Sequence, residues 1–238
     1  MDKLMMAAPA KINLGLDILG KNKDGYHLVD MVMARISLCD EVCVEKTAES
    51  IVVSCDSPHV PDGEENIAYR AAAAFFSTMS IRGGANISIK KRIPQSAGLA
   101  GGSADAAAVL KLLNKLYETG LSDERLEKIA VKIGADVPYC LHSAFARAEG
   151  IGEKLTFFES PLMLSVVVVK PPISISTKWA YIEMDKKPIK MHPDIEQIIS
   201  CLKRGDREEL MDSMQSAIPG ESLSKNLLSK SVPFLSNL

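Results

Sequence analysis

Ala85-Asn-Ile-Ser-Ile-Lys90, then Pro94-Gln-Ser-Ala-Gly-Leu-Ala-Gly-Gly-Ser-Ala104, then the run from Ala106 to Leu116 form the most informative stretch of this chain. The first segment alternates apolar and polar residues, the period of a half-buried strand. The last places Ala106, Val109, Leu110, Leu113 and Leu116 on one stripe, the period of an amphipathic helix. Between them lies a turn rich in glycine. Backbone N–H groups can converge on an anion only where no Cβ intrudes, and a helix N-terminus behind them adds a favourable dipole. Gly98, Gly101 and Gly102 meet the first need, and Ser103, read as an N-cap, meets the second. The Ser103 hydroxyl is also a candidate Mg2+ or phosphate contact. The same glycines would equally suit a flexible strand-to-helix connection.

Two familiar nucleotide motifs do not apply. Gly15-Leu-Asp-Ile-Leu-Gly20-Lys21-Asn22 approaches the P-loop pattern, but Asn22 replaces Ser/Thr and the lysine leads into a turn at Asp24-Gly25. The turn at Gly98 is spaced G-x-x-G-G, which is not the dinucleotide fingerprint.

Toward the N-terminus, Ile12, Leu14, Leu16 and Ile18 alternate with Lys11, Asn13, Gly15 and Asp17, so Lys11 and Asn13 share the polar face of a strand. Met31 to Glu45 and Ile51 to Cys55 read as further strands, and Ile67, Ala71, Ala74 and Phe75 as a helix. Downstream, Leu126, Ile129, Ala130 and Ile133 form a second stripe. Gly134 is placed to stop that helix with a left-handed cap, and Pro138 turns Val137 away from helix, which leaves Asp136 in a short loop. The apolar run Leu162 to Val169 reads as a buried strand, Thr177 to Met184 and Ile195, Ile198, Ile199 and Leu202 as helices. This order indicates an α+β chain divided near residue 158, into residues 1–158 and 159–238.

Of the 238 residues, 47% are hydrophobic and 24% charged, enough to bury a sizeable core. A net charge of -2, with no basic block longer than Lys90-Lys91-Arg92, argues against a nucleic-acid partner. No apolar run is long enough to span a bilayer and no signal-peptide core forms, so a cytoplasmic protein without a membrane partner is expected. Cys39, Cys43, Cys55, Cys140 and Cys201 show no C-x-x-C pair, so neither a disulfide framework nor a zinc site is indicated.

Pro94 to Ala107 resembles the central motif of the GHMP kinases, which cradle ATP on such a turn. Pro9-Ala-Lys-Ile-Asn-Leu-Gly-Leu16, Lys23-Asp-Gly-Tyr-His27 and Gly134-Ala-Asp-Val-Pro138 extend the resemblance in the family's order, from about residue 8 to about residue 205. The motifs are most similar to those of members acting on 4-diphosphocytidyl-2-C-methyl-D-erythritol, a cytidine diphosphate derivative of methylerythritol. The resemblance implies a two-domain α+β architecture, with a ribosomal protein S5 domain 2-like ATP-binding domain over 1–158. It implies Asp136 as catalytic base with Lys11 beside it, consistent with phosphoryl transfer's need for a proton acceptor and a nearby cation. ATP would lie on Pro94, Gln95, Ser96, Ala97, Gly98, Leu99, Ala100, Gly101, Gly102, Ser103 and Ala104, with Asn66 on the adenine side and Mg2+ on the phosphates. Tyr26 and His27 are implied to hold the cytosine, Asn13, Thr177 and Tyr181 to line the substrate site, and Lys154 to meet a substrate phosphate.

A solvent-facing Lys11, a loop-capping Asp136, a helix-capping Asn66 and an exposed Tyr26-His27 turn are the structural alternatives. The family's third glycine-rich motif has no counterpart after Met211, where Ser213-Met-Gln-Ser-Ala-Ile-Pro-Gly-Glu-Ser-Leu-Ser224 follows. The resemblance therefore implies a shortened C-terminal domain over 159–238, as a truncated product would have. A monomer or weak homodimer is expected. A kinase for another small alcohol, or a nucleotide binder without transfer, would share much of this sequence.

Overall fold

A computed structural model describes residues 2–170, 182, 185–186 and 192–214. The chain forms two compact units whose segments interleave along the sequence. One comprises Met1–Lys11, Arg35–Gln95 and Leu99–Ser143; the other comprises Ile12–Ala34, Ser96–Gly98 and Ala144–Leu238. Strands β1 (Lys3–Lys21) and β2 (His27–Thr47), which pair with each other, contribute to both.

In the first unit β4 (Gly84–Lys90) pairs antiparallel with β2, Glu41 opposite Lys90 and Thr47 opposite Gly84. It pairs parallel with β3 (Ile51–Cys55), Ile51 opposite Ala85. The alternation read from β4 is realised: Ala85, Ile87 and Ile89 are buried while Asn86, Ser88 and Lys90 are exposed. The buried face packs with helices α1 (Ile67–Met79), α2 (Gly101–Leu116) and α3 (Asp123–Ala130) into one apolar cluster that includes Phe75, Leu110, Leu113 and Leu126. Burying such side chains contributes roughly 1.5–3 kcal/mol each. The short helix α4 (Val137–Cys140) completes this unit. No left-handed stop occurs at Gly134. Helix α3 already ends at Ala130, and the N–H groups of Ile133 and Gly134 both bond to the Ala130 carbonyl, so the chain turns without a positive φ there.

In the second unit β5 (Phe145–Gly150) pairs antiparallel with β2, Met33 opposite Ala146, and with β6 (Lys154–Phe158). Leu14, Val32 and Ala34 pack with Ile195, Ile198, Ile199 and Leu202 of helix α5 (Ile195–Arg204) and Leu210 of helix α6 (Arg207–Ser213). The expected strand at Leu162–Val169 is absent: those residues carry no regular structure, and Met163 is 84% exposed. A β-branched run becomes a strand only where a neighbour supplies ladder partners. Among the described residues, none pairs with it. Of the helix expected over Thr177–Met184, only Ile182 is described, and residues 215–238, on which the expected C-terminal shortening falls, lie outside the described residues.

Candidate active site

The glycine-rich turn is shaped by backbone conformation before any side chain acts. Ser96, Gly98 and Ala100 all have positive φ, at 50°, 71° and 55°. Only Gly98 takes that geometry without a Cβ penalty. Ala100, not Ser103, caps α2. The helix therefore begins at Gly101 and places Ser103 inside its first turn, a correction to the expected cap. The first bond along the helix runs from the Ala104 N–H to the Ala100 carbonyl, so the N–H groups of Gly101, Gly102 and Ser103 have no partner within it. The two glycines serve packing as well. A Cβ at Gly101 would lie 3.0 Å from Ile93 Cγ2, and one at Gly102 would lie 3.2 Å from Ile67 Cγ2.

The first unit also brings Lys11 to Asp136. Lys11 Nζ lies 3.8 Å from Asp136 Oδ2, with the lysine side chain 7% exposed and the aspartate side chain 32% exposed. A solvent-facing lysine is thereby ruled out. Both faces of β1 are covered over Leu14–Ile18, so the polar face expected to meet water is largely buried. Nor does Asp136 cap α4 through its side chain: the residue occupies the N-cap position, but its carboxylate makes no capping bond and points to Lys11. The Lys11 backbone N–H donates to the Leu99 carbonyl at 3.1 Å, which ties the lysine strand to the turn.

Asn66 is engaged as a cap. Its Oδ1 accepts from the Ala68 N–H at 2.8 Å, its Nδ2 donates to the Pro61 carbonyl at 2.9 Å, and it is 3% exposed. The Cys140 thiol, one turn beyond Asp136 in α4, is pushed up to about 12 by burial and by the Asp136 charge.

One cluster beside the turn escaped the sequence reading. The Lys91 ammonium contacts the carboxylates of Asp40 and Asp105, the latter at 2.6 Å. Asp40 is fully buried, and its Oδ1 accepts from the N–H groups of Arg92 at 2.5 Å and Ile93 at 2.8 Å. Burial opposes the Lys91 charge, but Asp105 and Asp40 outweigh it and raise its pKa. Burial likewise pushes the Asp105 carboxyl up to about 7 against the pull of Lys91. The only signal in the sequence was the basic triplet Lys90-Lys91-Arg92, which says nothing of Asp40, 51 residues away on β2, or of Asp105, 14 residues away on α2.

The second unit holds the residues expected for the substrate. Asn22 Oδ1 accepts from the N–H groups of Asp24 and Tyr26 at 3.0 and 2.9 Å, an Asx turn that leaves Tyr26 62% exposed. His27 Nε2 lies 2.8 Å from Asp185 Oδ1, and Lys21 Nζ lies 2.6 Å from Oδ2 of the same carboxylate. Lys21 and then His27 hold that carboxyl below its ordinary range. Asn13 is half-buried on β1, and Lys154 is exposed at the start of β6. Thr177 and Tyr181 lie outside the described residues.

Residues 66–144 match the GHMP kinases N terminal domain. The 4-diphosphocytidyl-2-C-methyl-D-erythritol kinase of Clostridium beijerinckii is 44% identical over 223 residues, which is 94% of this chain and 80% of that protein. The enzyme of the same name from Acetivibrio thermocellus is 43% identical over 225 residues, 94% of this chain and 80% of that one. A crystal structure of 4-(cytidine 5'-diphospho)-2C-methyl-D-erythritol kinase superposes with a TM-score of 0.71 at 34% identity, covering 88% of this chain and 76% of that one. Homoserine kinase from Cytophaga hutchinsonii, at 20% identity and a TM-score of 0.70 over 92% of this chain and 73% of that one, shares the fold. With similarity of this extent added to an α+β fold and a Lys11–Asp136 pair beside the glycine-rich turn, the chain belongs to the GHMP kinases, within the 4-diphosphocytidyl-2-C-methyl-D-erythritol kinase family.

Proposed function

We infer that the protein transfers the γ-phosphoryl group of ATP to the 2-hydroxyl of 4-diphosphocytidyl-2-C-methyl-D-erythritol, a step of non-mevalonate isoprenoid synthesis. The observation that carries this reading is the Lys11–Asp136 pair at 3.8 Å, with the Lys11 backbone bonded to the glycine-rich turn. Asp136 accepts the hydroxyl proton as the substrate oxygen bonds to the γ-phosphorus and the bond to the ADP oxygen breaks. Lys11 offsets the negative charge that gathers around that transfer. The N–H groups of Gly101, Gly102 and Ser103, which have no partner within α2, hold the phosphates. Pro94 to Ala104 form the nucleotide cradle, and Asn66 lies on its adenine side.

Among the described residues, no group of three or more His, Cys, Asp or Glu side chains could hold a metal ion alone. That fits Mg2+, which keeps waters and takes one or two protein oxygens plus substrate phosphates. The Ser103 hydroxyl is the protein oxygen suited to it. When bound, Mg2+ neutralises phosphate charge. Tyr26 supplies a face for the cytosine and His27 polar contacts, with Asn13, Thr177 and Tyr181 lining the site and Lys154 meeting a substrate phosphate. An N-terminal ATP-binding domain over 1–158 and a shorter C-terminal domain over 159–238 belong to this reading. So does a cytoplasmic monomer or weak homodimer; no helix among the described residues is long and apolar enough to cross a membrane.

The test is coupled ADP release with and without the diphosphocytidyl substrate, with CMP as competitor. Substrate-dependent release suppressed by CMP is expected. Release driven equally by an alcohol lacking cytosine would assign another substrate, and ATP binding without release would make the protein a nucleotide binder.

A further inference from the structure

The Asp40–Lys91–Asp105 cluster has no part in the chemistry above, yet its members bracket the glycine-rich turn. Lys91, Arg92 and Ile93 lead into the turn, and Asp105 follows it near the start of α2. Asp40 holds the leading side through two backbone N–H groups and the Lys91 ammonium, and that ammonium reaches Asp105 on the far side. Gly101 sits against this junction: its missing Cβ would lie 3.0 Å from Ile93 Cγ2 and 3.4 Å from Lys91 Nζ. Two carboxylates share one ammonium, and Asp105 Oδ1 is buried with no hydrogen-bond partner among the described residues. A buried ionic cluster contributes little to stability compared with well-packed apolar residues, and its better-attested use is to specify one arrangement of the chain. Two carboxylates already engage the Lys91 ammonium, so a phosphate would compete with them for it.

We propose that Asp40, Lys91 and Asp105 are positioning residues that clamp the two ends of the glycine-rich turn together, and so set how tightly the N–H groups of Gly101, Gly102 and Ser103 hold a nucleoside triphosphate. The proposal rests on the kinase reading for its ligand. The clamp acts through entropy: N–H groups already converged lose little freedom when the phosphates arrive, whereas a turn free to open must be ordered first.

The informative variant is Asp105→Ala, which cuts the clamp at α2 while leaving Lys91 and Asp40 as a balanced pair. The ATP dissociation constant by calorimetry should rise about tenfold, the scale of one charged hydrogen bond. The KM for the diphosphocytidyl substrate should change less than about twofold. Amide exchange over residues 98–104 in the unliganded protein should quicken about tenfold, with β4 unchanged. Asp105→Asn, which keeps an acceptor for Lys91, should return ATP affinity to within about threefold of the parent. Unchanged ATP affinity and unchanged exchange in Asp105→Ala would overturn the clamp, as would an equal loss for both substrates with a lowered melting temperature. If the parent protein binds no ATP, the kinase reading fails instead, and the exchange measurement, which needs no nucleotide, still decides the clamp.

Discussion

The glycine-rich turn and the Tyr26-His27 turn are both short connections rich in polar residues, yet they are built in opposite ways. The first packs against buried and partly buried structure: Lys11 at its side, Ile93 and Ile67 against its glycines, and the Lys91 cluster at its ends. The second is an Asx turn on the surface, with Tyr26 62% exposed and His27 held by a partly exposed carboxylate. Phosphoryl transfer depends on fixed charges and donors, whose value rises as water is excluded and which need no rearrangement during reaction. Recognition of a planar base needs mainly an accessible ring face, which an exposed turn supplies. The closely packed turn is the one proposed to hold the phosphates, and the exposed one is proposed to hold the base.

The contrast can be broken most directly at Asp136. Asp136→Ala should lower substrate-dependent ADP release at least ~100-fold without loss of ATP binding, the usual scale for a positioned base. Turnover close to the parent's would remove Asp136 from the chemistry. Gly101→Val comes next, because its branched side chain would enter space already held by Ile93. Urea unfolding should show a loss of about 1–3 kcal/mol, the cost of overpacking a filled core. Full stability would mean that the turn yields more easily than its packing implies.

Tyr26→Ala tests the other side of the comparison. It should raise the KM for the diphosphocytidyl substrate roughly tenfold, in line with one base stacked on one ring, and leave stability and the KM for ATP alone. A matching rise in the KM for ATP would erase the division of labour. The smallest effect is expected at Asp185. Its folded pKa lies below the ordinary 3.8, so its contact with Lys21 and His27 contributes above that value and is lost as pH falls through the lowered one. An NMR titration of the Asp185 carboxyl should show the depression, and Lys21→Met should relieve most of it.

Elements with strong periodicity were legible from the chain. The alternation in β4 and the stripes in α2 and α5 appear where their spacing puts them, because one-sided burial leaves a direct imprint on residue order, whereas α3 ends at Ala130 and leaves Ile133 of its stripe beyond the helix. Leu162–Val169 shows where that logic stops. Apolarity reports a preference for burial, but a strand needs a partner, and pairing is not written in the run itself. The compact units interleave along the chain because β1 and β2 each contribute to both, a pairing that no local pattern records.

At the site, sequence alone determined that a glycine-rich turn joins a strand to a helix, that Lys11 and Asp136 accompany it, and that the motifs follow GHMP kinase order. The first is a property of local spacing and residue type; the other two are what the resemblance to the GHMP kinases implies. Tertiary structure decided that Lys11 is buried and faces Asp136, that Ala100 rather than Ser103 caps α2, and that Gly101 and Gly102 lie close against Ile93 and Ile67. It alone disclosed the Asp40–Lys91–Asp105 cluster. The physical reason is range. Periodicity and turn chemistry act over a few residues, whereas burial, charge pairing and close backbone approach join residues far apart in the chain and exist only once it has folded.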